Sequence, residues 1–330
     1  MMNIDVHHHA VPETLLQFIA ENEKEVHKEY RTIDGKQCLI YTDNQFVQPI
    51  YPIYYDDALR FEKMNQMRLN MVVLAISPAH FNYELETAVT AETSRIINDW
   101  LGEKQQKYPD KYRGMMTLPM QNTEAALAEL DRAYRKYGLK SLEIASQIGG
   151  RNLDDPSFFP VFEYCAKNGI TVCLHPYCPV NDDPSFSKYY TTNLVRFPLQ
   201  TGLALARLVL GGVFERLPGL NVVAFHGGGH FPYQFGRIEH GWQVRQEPKT
   251  AISGKPRDYL GQIYFDTITH SAPALQFLVD AFGADHVLIG TDMPYDMGDE
   301  TPVSSVDALR LTAAQRDAIS CANAQALFGI

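Results

Sequence analysis

The sequence predicts an α/β fold: a distorted (β/α)8 barrel of the TIM type with a small antiparallel insert after strand one. Short apolar runs alternate with longer segments of helical periodicity, and eight such runs occur along the 330 residues. About 250 residues is typical of this barrel, so there is room for additions. The main alternative, an open doubly wound sheet, would place a glycine-rich phosphate loop after the first strand, where this chain has histidines.

The eight predicted strands are short, and most are rich in valine, isoleucine, leucine and methionine. Such runs are typical of strands buried on both faces in a parallel sheet. They are Asn3–His7, Met71–Ser77, Tyr112–Leu118, Ser141–Ala145, Thr171–His175, Asn221–His226, Gln262–Thr267 and His286–Thr291.

Helical periodicity fills most of the intervals between these strands. The helices are predicted at Glu84–Lys107, Glu124–Tyr137, Phe158–Asn168, Leu203–Arg216, Tyr233–Gln246 and Pro273–Phe282, with a last helical region from Ser304 to Ala326. One domain over residues 1–330 is expected. Short alternating pieces around Asp34-Gly35 predict the antiparallel insert at about residues 21–55. Residues 178–198, rich in Pro, Asp, Ser and Tyr, predict a lid-like loop.

The composition narrows the class of protein. A net charge of -10 argues against non-specific binding to nucleic acid or anionic membranes. No apolar run approaches the roughly 18 residues of a membrane span, and no signal peptide is visible. The 5 cysteines are scattered without a CxxC pair, which favours a reducing compartment over a disulfide framework. A cytoplasmic protein acting on small molecules is expected.

Three consecutive histidines, His7, His8 and His9, stand at the end of the first predicted strand. Side chains alternate between the two faces of a strand, so His7 and His9 should point one way and His8 the other. Two imidazoles on one side of a strand end are a ready pair of metal ligands. The alternative, a remnant of an affinity tag, does not explain the apolar strand pattern before them.

Other strands end in residues of the same chemistry: His175 after strand five, His226 after strand six and Asp292 after strand eight. Barrel active sites form at these carboxyl ends, so the concurrence predicts one site. Individually, His175 could be a core histidine and Asp292 a turn residue. His230 and His270 follow strands six and seven, as pocket or solvated loop residues.

A division of roles follows for this predicted site. His7, His9, His175 and Asp292 suit Zn²⁺ and could also hold Mn²⁺ or Fe²⁺. An open coordination position would hold a water molecule, and the metal ion would lower the pKa of that water toward about 7. His226 is then free to act as general acid/base. The alternative gives His226 to the metal and leaves Asp292 as the base.

The segments that carry these residues resemble the amidohydrolase superfamily, and more closely its amidohydrolase 2 branch of non-oxidative decarboxylases, typified by the muconate-semialdehyde enzyme. The resemblance covers nearly the whole chain, more loosely before Asp56. It is densest from Gly211 through His226 to Asp292. The matching segments are Asp5-Val6-His7-His8-His9, Gly211-Gly212-Val213-Phe214-Glu215, His226-Gly227-Gly228-Gly229, Phe235-Gly236-Arg237-Ile238 and Gly290-Thr291-Asp292-Met293-Pro294.

The resemblance implies one divalent metal held by His7, His9, His175 and Asp292, with zinc expected first. It makes His226 the catalytic histidine, which works with metal-bound water and Asp292. It also implies that Arg237 reaches the carboxylate of the substrate in a neighbouring subunit, and hence a homodimer. The other reading of Arg237 is a surface salt bridge on a helix.

The chain departs from its relatives in the predicted substrate shell. A second carboxylate-binding arginine is missing, because residues 48–55 read Gln-Pro-Ile-Tyr-Pro-Ile-Tyr-Tyr. A tryptophan before the proline of the lid is also absent, replaced near Asn193, with Arg196 close by instead, and His230 stands where a small residue is usual. The altered shell predicts a substrate other than the muconate semialdehyde. The pocket is predicted to take a planar acid, on the evidence of four tyrosines, Tyr51, Tyr54, Tyr55 and Tyr295.

These features predict a metal-dependent decarboxylase of an aromatic or conjugated unsaturated carboxylic acid. The alternative is a metal-dependent hydrolase or hydratase of a lactone, amide or conjugated acid, since an activated water could also attack a carbonyl. A non-catalytic metal-binding protein is the third hypothesis, and the complete set of site residues argues against it.

Overall fold

Eight parallel strands form the centre of the fold in a computed structural model that describes residues 2–43, 47–177 and 183–330. In chain order the strands are β1 (Ile4–Ala10), β2 (Lys28–Ile33), β3 (Lys36–Tyr41), β4 (Val47–Pro49), β5 (Met71–Ile76), β6 (Tyr112–Gly114), β7 (Ser141–Ala145), β8 (Gln147–Ile148), β9 (Arg151–Asn152), β10 (Thr171–His175), β11 (Val222–Ala224), β12 (Ile263–Asp266) and β13 (Val287–Leu288). The barrel strands are β1, β5, β6, β7, β10, β11, β12 and β13.

The eight strands form two hydrogen-bonded sheets, one with the order β1-β5-β6 and the other with the order β7-β10-β11-β12-β13. Two seams join these sheets into a ring. A bridge between Met116 and Leu142 joins β6 to β7. At the other seam, the amides of Val6 and His9 donate to the carbonyls of Ile289 and Met293 at 2.9 and 2.7 Å. The TIM-type barrel predicted from the sequence is therefore confirmed.

Helices surround the barrel and follow most of its strands. They are α1 (Glu13–Glu21), α2 (Glu23–Val26), α3 (Asp57–Gln66), α4 (Thr87–Lys107), α5 (Thr123–Tyr137), α6 (Phe159–Asn168), α7 (Phe197–Leu210), α8 (Val213–Arg216), α9 (Phe231–Val244), α10 (Ala272–Phe282), α11 (Pro302–Asp307), α12 (Ala313–Asp317) and α13 (Asn323–Phe328). In the part of the chain that the structure describes, no helix is both long and apolar enough to cross a membrane.

The core has two parts. Residues on the outward faces of the strands pack against the helices, while a second cluster, including Val6, Val73 and Phe225, fills the barrel interior. Leu327 and Phe328 of α13 belong to this interior cluster. Burial of so many apolar side chains is the main stabilising contribution to the ring.

Several boundaries differ from the sequence prediction. β1 continues to Ala10, so the three histidines lie within the strand rather than after it. The strand carrying His226 ends at Ala224. The helix predicted over residues 203–216 is interrupted at Gly211-Gly212, because Gly212 has a φ of +75° that a helix cannot contain.

The antiparallel insert is confirmed as a sheet in which β3 pairs with both β2 and β4. The predicted lid at residues 178–198 lies partly outside the described residues, which resume at Asp183. Its described part contains a π-helix, Thr192–Arg196, that leads directly into α7. The last predicted helical region is divided into α11, α12 and α13, with a capping box at Thr312 starting the second.

Gly229 ends the turn after β11 and needs to be glycine. Its φ is +61°, and an added Cβ would lie 2.2 Å from the carbonyl oxygen of Pro198. We expect Gly229→Ala to lower the free energy of unfolding by about 3 kcal/mol, from backbone strain and overpacking. Urea unfolding measures the change. Gly236→Ala on α9 is the control, because its Cβ would meet nothing within 4 Å and should be neutral or slightly stabilising.

Candidate metal centre and active site

Four buried side chains converge at the carboxyl end of the barrel: His7 and His9 from β1, His175 from β10, and Asp292 after β13. One possible ligand atom of each lies within 4.8 Å of the others. Nε2 of His9 lies 3.0 Å from Nε2 of His7 and 3.0 Å from Oδ1 of Asp292. Nε2 of His175 is 3.9 Å from the same oxygen. The structure thus brings together the set predicted as metal ligands.

Each of the three imidazoles is oriented by an acceptor at its other ring nitrogen. Carboxylate and carbonyl oxygens only accept, so Nδ1 carries the hydrogen and Nε2 presents its lone pair to the centre. The pairs are His7 Nδ1 with Asp266 Oδ2 at 2.8 Å, His9 Nδ1 with the Ile76 carbonyl at 3.0 Å, and His175 Nδ1 with the Pro176 carbonyl at 2.7 Å.

This arrangement fits a divalent cation. Three lone pairs and a carboxylate face one point, and an unpaired buried acceptor is costly. Nε2 of His175 is such an acceptor, since it is buried and has no hydrogen-bond partner in the described chain. A cation would satisfy all four groups at once, and three nitrogens with one oxygen suit Zn²⁺, Mn²⁺ or Fe²⁺.

The electrostatics of these side chains also favour a positive charge between them. Burial alone would favour neutral His7, but the carboxylates of Asp292 and Asp266 outweigh it and raise the pKa of His7 to about 10, so Nε2 of His7 carries a proton that a metal ion would displace to use its lone pair. Burial lowers the pKa of His175 to about 3, so this imidazole is neutral. Burial opposes the charge of Asp292, yet nearby imidazoles, His7 foremost, hold its pKa well below the usual range.

His226 lies beside these four residues and closer to solvent. Its Nε2 is 3.4 Å from Oδ2 of Asp292, and its side chain is 22% exposed against 7% for Asp292. The turn that carries it is fixed from behind, because the amide of Gly227 donates to Oδ1 of Asp266 at 2.7 Å. Since His226 faces the other carboxylate oxygen and the open side, this geometry favours an acid/base role over a ligand role.

A cavity of about 780 Å³ opens from His226 and Asp292 toward solvent. Its walls come from the segment before α7, the start of α9, the loop after β12 and the start of α10. Most of the lining is apolar. The lining residues are Asn193, Leu194, Phe197, Pro198, His226, Gly227, Gly229, Pro232, Tyr233, Ile268, Thr269, His270, Ser271, Pro273, Ala274, Phe277, Leu278, Asp292 and Met297.

Three buried carboxyl groups support the site, and sequence reasoning did not assign them. Asp266 holds both His7 and the turn of His226, as described above. Asp5 binds Nδ1 of His8 at 2.9 Å. Glu143 lies 4.0 Å from Nδ1 of His9, and burial raises its pKa well above the usual range. The available signal was an acidic residue inside an apolar strand, since such a residue is rarely buried without a purpose.

Among the predicted substrate contacts, Tyr295 lies nearest to the metal centre. Its ring centroid is 5.2 Å from that of His9, and its hydroxyl hydrogen-bonds Oγ of Ser77. His230 does not line the cavity, and its Nδ1 lies 3.2 Å from the carbonyl oxygen of Pro198. Within one chain, therefore, Tyr295 borders the centre and His230 contributes to packing.

The two predicted arginines do not line the cavity within one chain. Arg196 lies in the π-helix before α7, with its guanidinium carbon 5.7 Å from the ring centroid of Phe186. Arg237 is exposed on α9, one turn after the lining residue Tyr233. Arg237 therefore lies outside the cavity wall of its own chain.

A barrel with histidines on its first strand and an aspartate after its last strand is typical of a class of metal-dependent enzymes. The chain belongs to the Amidohydro_2 amidohydrolase family, whose sequence profile matches residues 4–330.

Individual proteins similar to this chain in sequence or fold include several decarboxylases. The chain is 33% identical, over 94% of its length and 86% of the relative's, to the 2-amino-3-carboxymuconate-6-semialdehyde decarboxylase of Dictyostelium discoideum. Its fold is similar to that of a 5-carboxyvanillate decarboxylase from Sphingomonas paucimobilis, with a TM-score of 0.85, 21% identity and coverage of 100% and 99% of the two chains. It is also similar to a manganese-containing dihydroxybenzoic acid decarboxylase from a Polaromonas species, with a TM-score of 0.81, 23% identity and coverage of 99% and 97%.

Proposed function

We propose that the protein is a metal-dependent, non-oxidative decarboxylase of an aromatic or conjugated unsaturated carboxylic acid. The observation that carries this proposal is the group of three Nε2 lone pairs and one carboxylate beneath an apolar cavity, with His226 at its edge. The decarboxylases among the relatives and fold neighbours support the same reaction.

One divalent metal is assigned to His7, His9, His175 and Asp292. Zinc is our first choice, and the manganese in the Polaromonas enzyme supports manganese as an alternative. When bound, the ion supplies a Lewis acid that attracts an acidic substrate and stabilises negative charge on its oxygens. The orienting acceptors on the three histidines keep the lone pairs in place without reorganisation.

His226 is assigned the proton transfer. In decarboxylation the bond between the carboxyl carbon and its neighbouring carbon breaks, CO2 leaves, and a proton takes its place on that neighbouring carbon. The imidazole of His226 lines the inner end of the cavity and can hold this proton, while the carboxylate of Asp292 accepts a hydrogen bond from the imidazole. The mostly apolar lining of the cavity favours the loss of a charged carboxylate as neutral CO2.

The test is decarboxylation of a panel of phenolic, heteroaromatic and muconate-type acids by metal-loaded protein in D2O. We expect release of CO2 and one deuterium at the carbon that carried the carboxylate, measured by mass spectrometry. A product that gains water oxygen and keeps its carboxylate would instead assign a hydratase or hydrolase. Retention of label from H2(18)O in the product separates the two outcomes.

We also propose that the active form is a homodimer in which Arg237 of one copy meets the substrate of the other. The planar guanidinium suits bidentate binding of a carboxylate. Arg237 is exposed, and the helices α7, α9 and α10 also carry exposed apolar side chains, including Leu203, Tyr233 and Phe277, the last two with ring centroids 6.4 Å apart. Exposed aromatic and aliphatic side chains near an arginine are common in protein interfaces.

Arg237→Ala should raise KM for the acid by about tenfold to a hundredfold, because a charge-assisted hydrogen bond contributes roughly 1.5–3 kcal/mol. Steady-state kinetics measures KM and kcat separately. Arg245→Ala, at the end of the same helix and paired with Glu247, is the matched control and should change neither. An unchanged KM in Arg237→Ala would contradict its assigned role.

A further inference from the structure

Three residues at the cavity share an unusual backbone conformation. His226, His270 and Asp292 have φ values of 56°, 51° and 58°, in the left-handed region that side chains other than glycine seldom adopt. Each follows a barrel strand, β11, β12 or β13, and each lines the same cavity. Strain of this kind is destabilising and concentrates at functional sites. Two of the three already have assigned roles, whereas His270 has none.

The side chain of His270 is available to a ligand. It is exposed, and it makes no hydrogen bond within the described chain, although it stands at the cavity wall beside Thr269 and Ser271. Asp292 and His226 are more buried, so they form the inner end of the cavity and His270 the outer part. A glycine would adopt this φ without strain, so the histidine is not required by the turn itself.

The remaining wall indicates which substituent His270 would meet. The described residues lining the cavity include no lysine or arginine, and the residues next to His270 are the hydroxyl-bearing Thr269 and Ser271 and the apolar Ile268 and Phe277. A second carboxylate at this position would therefore meet no cationic side chain of the described lining to form an ion pair. A neutral hydroxyl needs only one hydrogen bond, which an imidazole supplies as donor or acceptor.

We propose that His270 is a specificity-determining residue that hydrogen-bonds a neutral hydroxyl substituent of an aromatic monocarboxylic acid. The carboxylate is directed to the metal centre and to Arg237 of the neighbouring copy. The hydroxyl lies at the outer part of the cavity. This inference rests on the proposed function, since it assumes that the acid occupies this cavity.

Binding and turnover test the inference separately. Calorimetry with the metal-loaded protein compares salicylate, the isomeric dihydroxybenzoates and hydroxyisophthalate, which adds a second carboxylate. We expect at least one dihydroxybenzoate to bind more tightly than salicylate. His270→Ala should weaken the binding of that dihydroxybenzoate by about tenfold, which is the effect of losing one hydrogen bond. The affinity for salicylate should change by less than about twofold, because its single hydroxyl is next to the carboxylate and would lie at the inner end of the cavity, away from His270.

Two variants separate recognition from folding. His270→Asn should retain much of the preference, because asparagine tolerates positive φ and forms hydrogen bonds. His27 is also exposed and has a φ of 53°, pairs with Asp43 and does not line the cavity. His27→Ala should therefore show a similar change in urea unfolding and no change in binding preference.

The outcomes are distinct from those of the proposed function. If no acid is decarboxylated, the proposed reaction fails, whatever the binding preference. If acids are decarboxylated but His270→Ala affects salicylate and dihydroxybenzoates equally, or neither, the role of His270 is overturned. A loss confined to hydroxyisophthalate would also overturn it, because His270 would then hold a second carboxylate.

Discussion

His226→Ala should reduce kcat for decarboxylation by about a thousandfold while leaving the bound metal in place, within the range usual for loss of a general acid. The imidazole contacts Asp292 at 3.4 Å but stands outside the group of four ligand atoms, so its removal leaves that group intact. Metal content by elemental analysis and kcat by CO2 release measure the two effects on the same preparation.

His240→Ala is the matched control, since His240 is an exposed histidine on α9 away from the cavity lining. It should preserve both metal content and turnover. If His226→Ala loses the metal together with activity, His226 belongs to the ligand set and the base must be sought elsewhere, with Asp292 the first choice.

His9→Ala should abolish both metal binding and turnover. The variant removes one of the three oriented nitrogens, and Nε2 of His9 lies 3.0 Å from the shared Asp292 oxygen. Loss of a supporting residue alone typically costs tenfold to a hundredfold in metal affinity, so loss of a ligand should exceed about a hundredfold. Titration with zinc and manganese, followed by elemental analysis, measures the affinity.

Asp266→Asn provides an intermediate case for this series. Its metal affinity should fall by tenfold to a hundredfold, because the substitution alters the acceptor that orients His7 without removing a ligand. His27→Ala should have no effect on affinity. Full metal occupancy in His9→Ala would contradict the assigned ligand set.

The convergence of His7, His9, His175 and Asp292 was predictable because each depends on a local rule. Alternation along a strand places His7 and His9 on one side, and parallel strands in a barrel present their carboxyl ends at one mouth. These rules hold even though β1 extends to Ala10 and the predicted boundary at His7 was wrong. A shift of a boundary does not alter which side chains share a face.

The supporting shell was harder to predict, because it depends on distances between segments that are remote in sequence. Asp266 lies within a strand and reaches His7, 259 positions earlier in the chain. The cavity wall likewise joins residues before α7 with residues near α10. Nothing in the local pattern around His270 distinguishes it from a solvated loop residue; its backbone conformation does.

The seam between β1 and β13 gives the metal centre a mechanical consequence. His9 and Asp292 are 283 positions apart, yet they meet where the first and last strands of the ring pair. An ion bound by both residues would cross-link the two strands whose backbone hydrogen bonds close the ring. Its binding free energy would add to the stability of that closure, so removal of the metal should lower the stability of the folded protein as well as its activity.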